Sequence, residues 1–460
     1  MQKKTTAAVG RGEKIALVSL GCPKNLVDLQ VMGAALAAAG FDVGVPEDDA
    51  DAILVNTCAF IESARAEALD AIEEACARKR DGRCRAVIVA GCLAQRYRTQ
   101  VLDACPDADA VIGVDDLEDA PAAVRRALDA PGRPFCAVSR GPSKRLFTSK
   151  APWFTLTPGP YAYLKVAEGC RHACAFCAIP GIRGRLRSRP VADCVAEARA
   201  LLGRGIRELD VIAQDVTSYG RDLRDGTDLV SLLRALDALP GRFRVRLLYG
   251  HPAGITDELL GFIAGSRHVL PYFDIPIQHS SESVLRAMRR ADTVALVPEM
   301  AARIRAKLPG ATLRTTCLVG FPGETAQDAA ALVRFVREAA FDHLGAFVFS
   351  PEEGTPAFDL PKRPSARVAE ARRARLMAAQ AEVVAAKLAA LEGTEDEVLL
   401  EAPPAKRGAP WTGRTGRQAP DDIDGVTYVR GVPAGAKPGD FLRVRIAGHT
   451  DYDLLADAIG

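Results

Sequence analysis

The sequence contains no run of about 18 uncharged apolar residues, and its first residues, MQKKTTAAVGRGEK, form no apolar stretch. Neither a membrane span nor a secretory leader is therefore expected, and a cytoplasmic protein with no membrane partner is the expectation. It also lacks an excess of either charge: 60 Lys and Arg stand against 58 Asp and Glu, a net of +2, so no basic surplus announces a nucleic-acid partner. With 48% apolar and 26% charged residues the signature of disorder is missing too, and no repeat of fixed period occurs. What is present is length, 460 residues, enough for about three domains at roughly 150 residues each, and twelve cysteines. In a long chain without a secretion signal, cysteine is expected to bind metal, do redox chemistry or pack rather than form disulfides.

Three patterns succeed one another. Short apolar runs at 14–21 (KIALVSLG), 52–57 (AILVNT), 86–90 (AVIVA) and 110–114 (AVIGV) alternate with amphipathic stretches such as 25–39 and 62–78. Strand then helix, repeated, predicts an open parallel α/β sheet over 14–138. Pro- and Ser-rich sequence at 139–160 reads as a linker. A longer alternation follows over 161–392, with strand runs at 161–167, 208–212, 244–248, 272–277, 312–319 and 344–349; six βα units predict a partial (β/α)6 barrel whose chemistry lies at the strands' C-terminal ends. After a long Ala/Arg-rich helix at 367–391, short strands at 397–401, 413–418, 426–430 and 440–446 separated by Pro/Gly turns predict a small all-β barrel over 393–460.

Cys170, Cys174 and Cys177 form C-x3-C-x2-C directly after the first barrel strand. Three thiolates on one tight loop suit a [4Fe–4S] cube with its fourth iron open. A zinc knuckle would want a fourth ligand, and His172 sits too close to Cys170 in sequence to chelate beside it. Cys22, Cys58 and Cys92 share no local motif, yet each immediately follows, or comes two residues after, a predicted strand, in SLGC, VNTC and VAGC. Ligands of an open parallel sheet bind beyond the strands' carboxyl ends, so these three thiols are expected to converge there. Cys76, Cys84, Cys105, Cys136, Cys194 and Cys317 lack such placement and are expected to be structural.

Two three-cysteine sites, on an α/β domain and on a barrel loop, followed by a small β-barrel, resemble the radical S-adenosylmethionine (SAM) methylthiotransferase family. The segments SLGCPKNLVDLQVM, NTCAFIESARAEALDAI, VAEGCRHACAFCAIPGIRGRLRSR, YFDIPIQHSS, VGFPGET, FSPEEGTPA and DYDLLA are similar to the branch that modifies an aspartate of small-subunit ribosomal protein twelve. The tRNA-modifying branch has a GCQMN-like run where GCPKN stands here. The resemblance implies a methylthiotransferase domain, a radical-SAM core and a TRAM domain, and as cofactors two [4Fe–4S] clusters and SAM. The cluster on Cys170, Cys174 and Cys177 would generate the radical that takes hydrogen from the aspartate β-carbon. The cluster on Cys22, Cys58 and Cys92 would carry the sulfur that a first SAM methylates. An electron donor such as a flavodoxin is implied as a partner.

Some assignments are weaker. Phe176 matches the aromatic that usually precedes the third cysteine in the superfamily. Glu208 and the QDVTSYG segment, with Gln214, are placed at the end of the second barrel strand as contacts to the methionine part of SAM. In VGFPGET, Gly320 and Gly323 would let backbone approach adenine. Gln278 and His279 end the fourth strand, where a hydrogen-bonded structural histidine is the plainer reading. Arg171, Arg183, Arg185, Arg187 and Arg189 form a basic run that fits carboxylate, phosphate or solvent alike. The C-terminal barrel, with eight Lys and Arg against eleven Asp and Glu, is net −3 and includes Asp421, Asp422, Asp424, Asp451 and Asp453. Such a surface would repel RNA and attract a basic ribosomal protein. The competing readings are a tRNA-adenosine methylthiotransferase and an iron–sulfur RNA-binding protein without SAM chemistry.

Overall fold

A computed structural model describes residues 12–82, 84–149, 154–406, 408–421 and 423–459. The chain forms two compact units. The first comprises the described residues of Met1–Leu156 together with Glu168–Cys170 and Cys177–Arg185. The second comprises the described residues of Thr157–Ala167, Arg171–Phe176 and Leu186–Gly460.

The first unit is built on six parallel strands: β1 (Lys14–Ser19), β2 (Asp42–Val43), β3 (Ala52–Thr57), β4 (Ala86–Gly91), β5 (Ala110–Ile112) and β6 (Phe135–Ala137), in the order β2-β1-β3-β4-β5-β6. Every residue of β3 and β4 is buried, because a parallel sheet is covered on both faces; hence the unbroken apolar runs. Alternate side chains feed two cores. Ile15, Leu54 and Ile88 pack with Leu29, Met32 and Leu36 of α1 (Pro23–Ala38), while Ala16, Ile53 and Val87 pack with Ala68, Ile72 and Ala75 of α2 (Glu62–Asp81). Sequence periodicity missed β2 and β6, edge strands of two and three residues that are too short to carry a period. The stretch read as a linker is fastened over much of its length. Asp115 accepts from the backbone N–H groups of Lys144 and Arg145, Ser143 N–H donates to Ile182 O at 2.9 Å, and Phe147 enters the core. Residues 150–153 of that stretch lie outside the described residues.

The second unit carries six further parallel strands, β7 (Tyr161–Lys165), β8 (Glu208–Ile212), β9 (Arg244–Leu247), β10 (Val269–Asp274), β11 (Thr312–Val319) and β12 (His343–Val348), paired in chain order into a curved, open sheet. The long helix Ala366–Ala389 leads to a closed five-stranded barrel of β13 (Glu395–Ala402), β14 (Trp411–Thr415), β15 (Thr427–Arg430), β16 (Phe441–His449) and β17 (Leu454–Ala458), in the order β13-β14-β15-β17-β16. Sequence reasoning missed β17, whose LLADA has no β-branched residue and shows its strand character only through pairing with β15 and β16.

This small barrel docks under the N-terminal ends of the open sheet's strands. Arg414 of β14, fully buried, reaches Glu208 at the start of β8 at 2.8 Å, and Arg246 of β9 meets the same carboxylate at 2.9 Å. Asp424 accepts from Tyr272 at 2.5 Å and pairs with Arg314, with His343 at 3.5 Å. Asp421 accepts from the hydroxyls of Tyr161 and Tyr163. Several carboxylates counted as an acidic surface are thus consumed inside the unit. Asp424 is buried, Glu397 binds Arg242 and Arg244, and Glu401 binds Arg414. Net charge of a segment overstates its surface charge wherever the segment packs against a neighbour of opposite sign, and that weakens the electrostatic case against RNA. Asp422 lies outside the described residues.

Candidate functional site

The strands that precede Cys22, Cys58 and Cys92 are β1, β3 and β4, three neighbours in the sheet. Ser19 pairs in register with Asn56, and Thr57 with Gly91, so all three cysteines emerge at one edge. Gly21, at φ +89°, makes this close approach possible; a Cβ there would lie 2.7 Å from Cys58 Cβ and 3.1 Å from its Sγ. Gly91, at φ +95°, is equally hemmed in by Asn56 and Thr57.

A polar network ties the three turns together. The Asn25 side chain donates to Thr57 O at 2.9 Å and Leu20 O at 3.3 Å, and Asn56 donates to Asn25 O at 2.6 Å. Cys92 Sγ lies 3.4 Å from Asn25 Oδ1. The buried Arg183 guanidinium donates to Asn25 Oδ1 at 2.6 Å and to Cys92 Sγ at 3.2 Å, and pairs with Asp28 at 2.7 Å and Glu168 at 3.2 Å. Burial pushes the Cys92 thiol up to about 12 against the opposing pull of Arg183, with Cys22 and Cys58 adding to the rise. Burial likewise raises Cys58, with Cys22 contributing. The three thiols are near enough to sense one another's charge, and none of the twelve cysteines is in a disulfide. Of the rest, Cys76, Cys84 and Cys105 lie in the core beside α2, Cys136 packs against it, and Cys194 and Cys317 are fully buried.

Cys170, Cys174 and Cys177 are half-buried on the loop beyond β7. In the first unit, Cys170 N–H donates to Gly184 O at 3.1 Å. In the second, Arg290 Nη1 lies 3.6 Å from Cys174 Sγ, and Ala175 is held by backbone bonds to Met288 and Ala357. Phe176 packs against the cluster of Val284, Met288, Phe321 and Phe349. His172 stacks on His251, centroids 4.0 Å apart and 12° from parallel, and its Nε2 meets Asp215 at 2.7 Å. Burial pushes Asp215 up, but bonds from His172, Ser218 and Thr217 outweigh it and hold the carboxyl below its usual range. Burial, with Arg290, His172 and Arg171 adding to it, lowers His251 to about 3. His172, His251 and Asp292 bring ligand atoms within 4.8 Å of one another. Face-to-face rings, however, run their in-plane lone pairs side by side rather than converging on one ion.

Several expectations need correction. Glu208 is the first residue of β8, at the end of the strand away from the cysteine loop, and it is fully buried against Arg246 and Arg414, which hold it far below the usual carboxylate range despite its burial. It is a structural ion-pair member rather than a SAM contact. Gln214 does lie just past the C-terminal end of β8, half-buried. Gly320 and Gly323 follow β11 at φ +76° and +87°; a Cβ on Gly320 would stand 2.6 Å from Ala369 Cβ, so the close neighbour that requires glycine there is a helix, while a Cβ on Gly323 meets nothing within 4 Å. His279 is fully buried, accepting from Ser281 N–H at 2.9 Å. The arginine run is split: Arg183 and Arg189 are buried in ion pairs, whereas Arg171 and Arg185 are exposed and Arg187 is half-buried. Sequence reasoning missed Asn25, Asp215, His251 and Arg290 as partners of the cysteine sites. Their positions just past strand ends were the available signal for Asp215 and His251.

The donor sets fit iron–sulfur clusters, being three soft thiols outside any disulfide at each site, one fewer than a closed four-ligand centre. The architecture is that of a radical-SAM enzyme whose core is preceded and followed along the chain by further modules. Residues 14–113 match the family described as uncharacterized protein family UPF0004, 164–336 the radical SAM superfamily, and 393–459 the TRAM domain. Among solved structures, the radical S-adenosylmethionine methyltransferase TsrM from Kitasatospora setae, with cobalamin and a [4Fe–4S] cluster bound, shares the fold at TM-score 0.52 and 17% identity, covering 75% of this chain and 77% of that one. Curated relatives are much nearer in sequence. The ribosomal protein uS12 methylthiotransferase RimO of Geobacter sulfurreducens is 43% identical over 97% of this chain and 99% of its own, and that of Syntrophus aciditrophicus 42% identical over 98% and 99%. The chain belongs to the RimO family of uS12 methylthiotransferases.

Proposed function

We propose that this protein methylthiolates the β-carbon of an aspartate in ribosomal protein uS12, with Cys22, Cys58 and Cys92 holding one [4Fe–4S] cluster and Cys170, Cys174 and Cys177 the other. The observation that carries the reading is the emergence of the first three thiols from three adjacent strands of one sheet. A C–H bond on such a carbon has no acidic proton, so general-base chemistry cannot activate it, and bound clusters supply what side chains lack: a radical source from SAM and a sulfur carrier. The chain's own residues bind, orient and shield. Asn25 and Arg183 fix the first thiol set in a water-poor setting where Cys58 and Cys92 are buried. Arg290 places a positive charge beside Cys174, and Asp215 locks the ring orientation of His172 within the loop.

Docking of uS12 on the exposed acidic positions left on the C-terminal barrel, Asp451 foremost, extends the reading, as does reduction by a flavodoxin-like donor. The test is anaerobic incubation of the reconstituted protein with reductant, SAM and either uS12 or tRNA, read by mass spectrometry. A methylthio adduct on a uS12 aspartate is expected. Modified tRNA beside unmodified uS12 would overturn the reading.

A further inference from the structure

We propose that Arg183 is a positioning residue for the N-terminal thiol set, whose guanidinium locks the three strand-end turns together and, by donating to the Cys92 sulfur, raises the reduction potential of a cluster bound there. This rests on the reading of Cys22, Cys58 and Cys92 as ligands. One guanidinium reaches the whole set. Nη2 donates both to Cys92 Sγ, 3.2 Å away, and to Asn25 Oδ1 at 2.6 Å, and the Asn25 amide in turn donates to Thr57 O, next to Cys58, and to Leu20 O, two residues before Cys22. Nη1 is anchored by Asp28 at 2.7 Å and Glu168 at 3.2 Å. The side chain is 2% exposed, so solvent screens none of these contacts appreciably.

A rigid, planar, always-charged fork is what such a multi-point arrangement requires; the point charge of lysine would settle on the carboxylates and leave the sulfur without its donor. Hydrogen bonds to ligand sulfurs set cluster potentials, and a cationic donor favours the more negative, reduced state. Glu168 and Arg183 are also the two stems of the C-x3-C-x2-C loop, so the same fork fastens that loop's base to the sheet edge carrying the other thiols.

The test uses the full-length chain in a C170A/C174A/C177A background, so that only the N-terminal set can be loaded. Iron content and the midpoint potential, followed by electron paramagnetic resonance during a redox titration, are compared for the parent, R183K and R183Q. The expected result is unchanged iron with a lowered midpoint in R183K, the ratio of reduced to oxidised cluster at the parent's midpoint falling about tenfold, ~59 mV for a one-electron couple. R183Q, which also removes the charge, should fall at least as far. An unchanged midpoint in R183K overturns the proposal, and so does loss of the cluster from both variants, which would make Arg183 scaffold alone. If C22A/C58A/C92A in the same background keeps its iron, the ligand reading itself fails, an outcome distinct from either.

Discussion

The two cysteine triads reach the same chemistry by opposite routes. Cys170, Cys174 and Cys177 lie within eight residues on one loop, and their spacing alone announces a cluster. Cys22, Cys58 and Cys92 span about seventy residues and become neighbours only because β1, β3 and β4 are adjacent in a parallel sheet. A local triad needs a loop; a dispersed one needs a sheet edge and a network, here Asn25, Asn56 and Arg183, to hold three separate turns in register. The dispersed site is therefore expected to be the more sensitive to remote packing changes.

The sharpest break between the two is functional. C170A/C174A/C177A should abolish SAM cleavage to deoxyadenosine, whereas C22A/C58A/C92A should retain cleavage yet yield no methylthiolated uS12; chromatography of deoxyadenosine beside product mass spectrometry reads both. If the second variant also loses cleavage, the division of labour is wrong. The next effect concerns the scaffold under the local triad. Replacing Arg414 with Ala leaves Glu208 and Asp210 buried without one of their cations, which should cost about 3–5 kcal/mol in urea unfolding. That loss should fall on the second unit, and hydrogen exchange in β3 and β4 should stay unchanged.

For the dispersed triad, Asn25→Ala removes buried bonds to two of the three turns and should cost about 1–3 kcal/mol, with iron lost selectively from the N-terminal set. Retention of all iron would show that the turns need no such tie. A further effect, spread over several pH units, is a pH dependence beside the local triad. His251 is faced by His172, Asp215, Asp292, Arg290 and Arg171 and sits at about 3 when folded, below its ordinary 6.5. Between those values the unfolded chain takes up a proton that the folded one refuses. Stability should fall as pH drops from 6.5 toward 3, by up to about 1.4 kcal/mol per pH unit. His251→Gln should flatten that part of the stability curve, and an unaltered slope would refute the assignment.

Legibility followed the same division. The fold class could be read because β3 and β4 are continuous apolar runs and the open sheet's strands recur with helices between them, while β17 could not, since Leu454–Ala458 acts as a strand only through its partners. Cysteine placement was readable from strand ends. The misreading of Glu208 came from placing a residue at the wrong end of a five-residue strand, and that of the acidic C-terminal barrel from summing charges whose partners, Arg242, Arg244, Arg314 and the hydroxyls of Tyr161 and Tyr163, lie far away in sequence.

Sequence by itself determined the three modules, the C-x3-C-x2-C loop and the strand-end cysteines, because hydrophobic periodicity and short-range spacing are local properties of a chain. Only the tertiary structure decided that Arg183 touches a cysteine ninety-one positions earlier, and that Asp424 and Arg414 are buried between the small barrel and the open sheet rather than displayed. Ion pairing and thiolate environment depend on which distant groups share a desolvated space, and no periodicity along the chain encodes that.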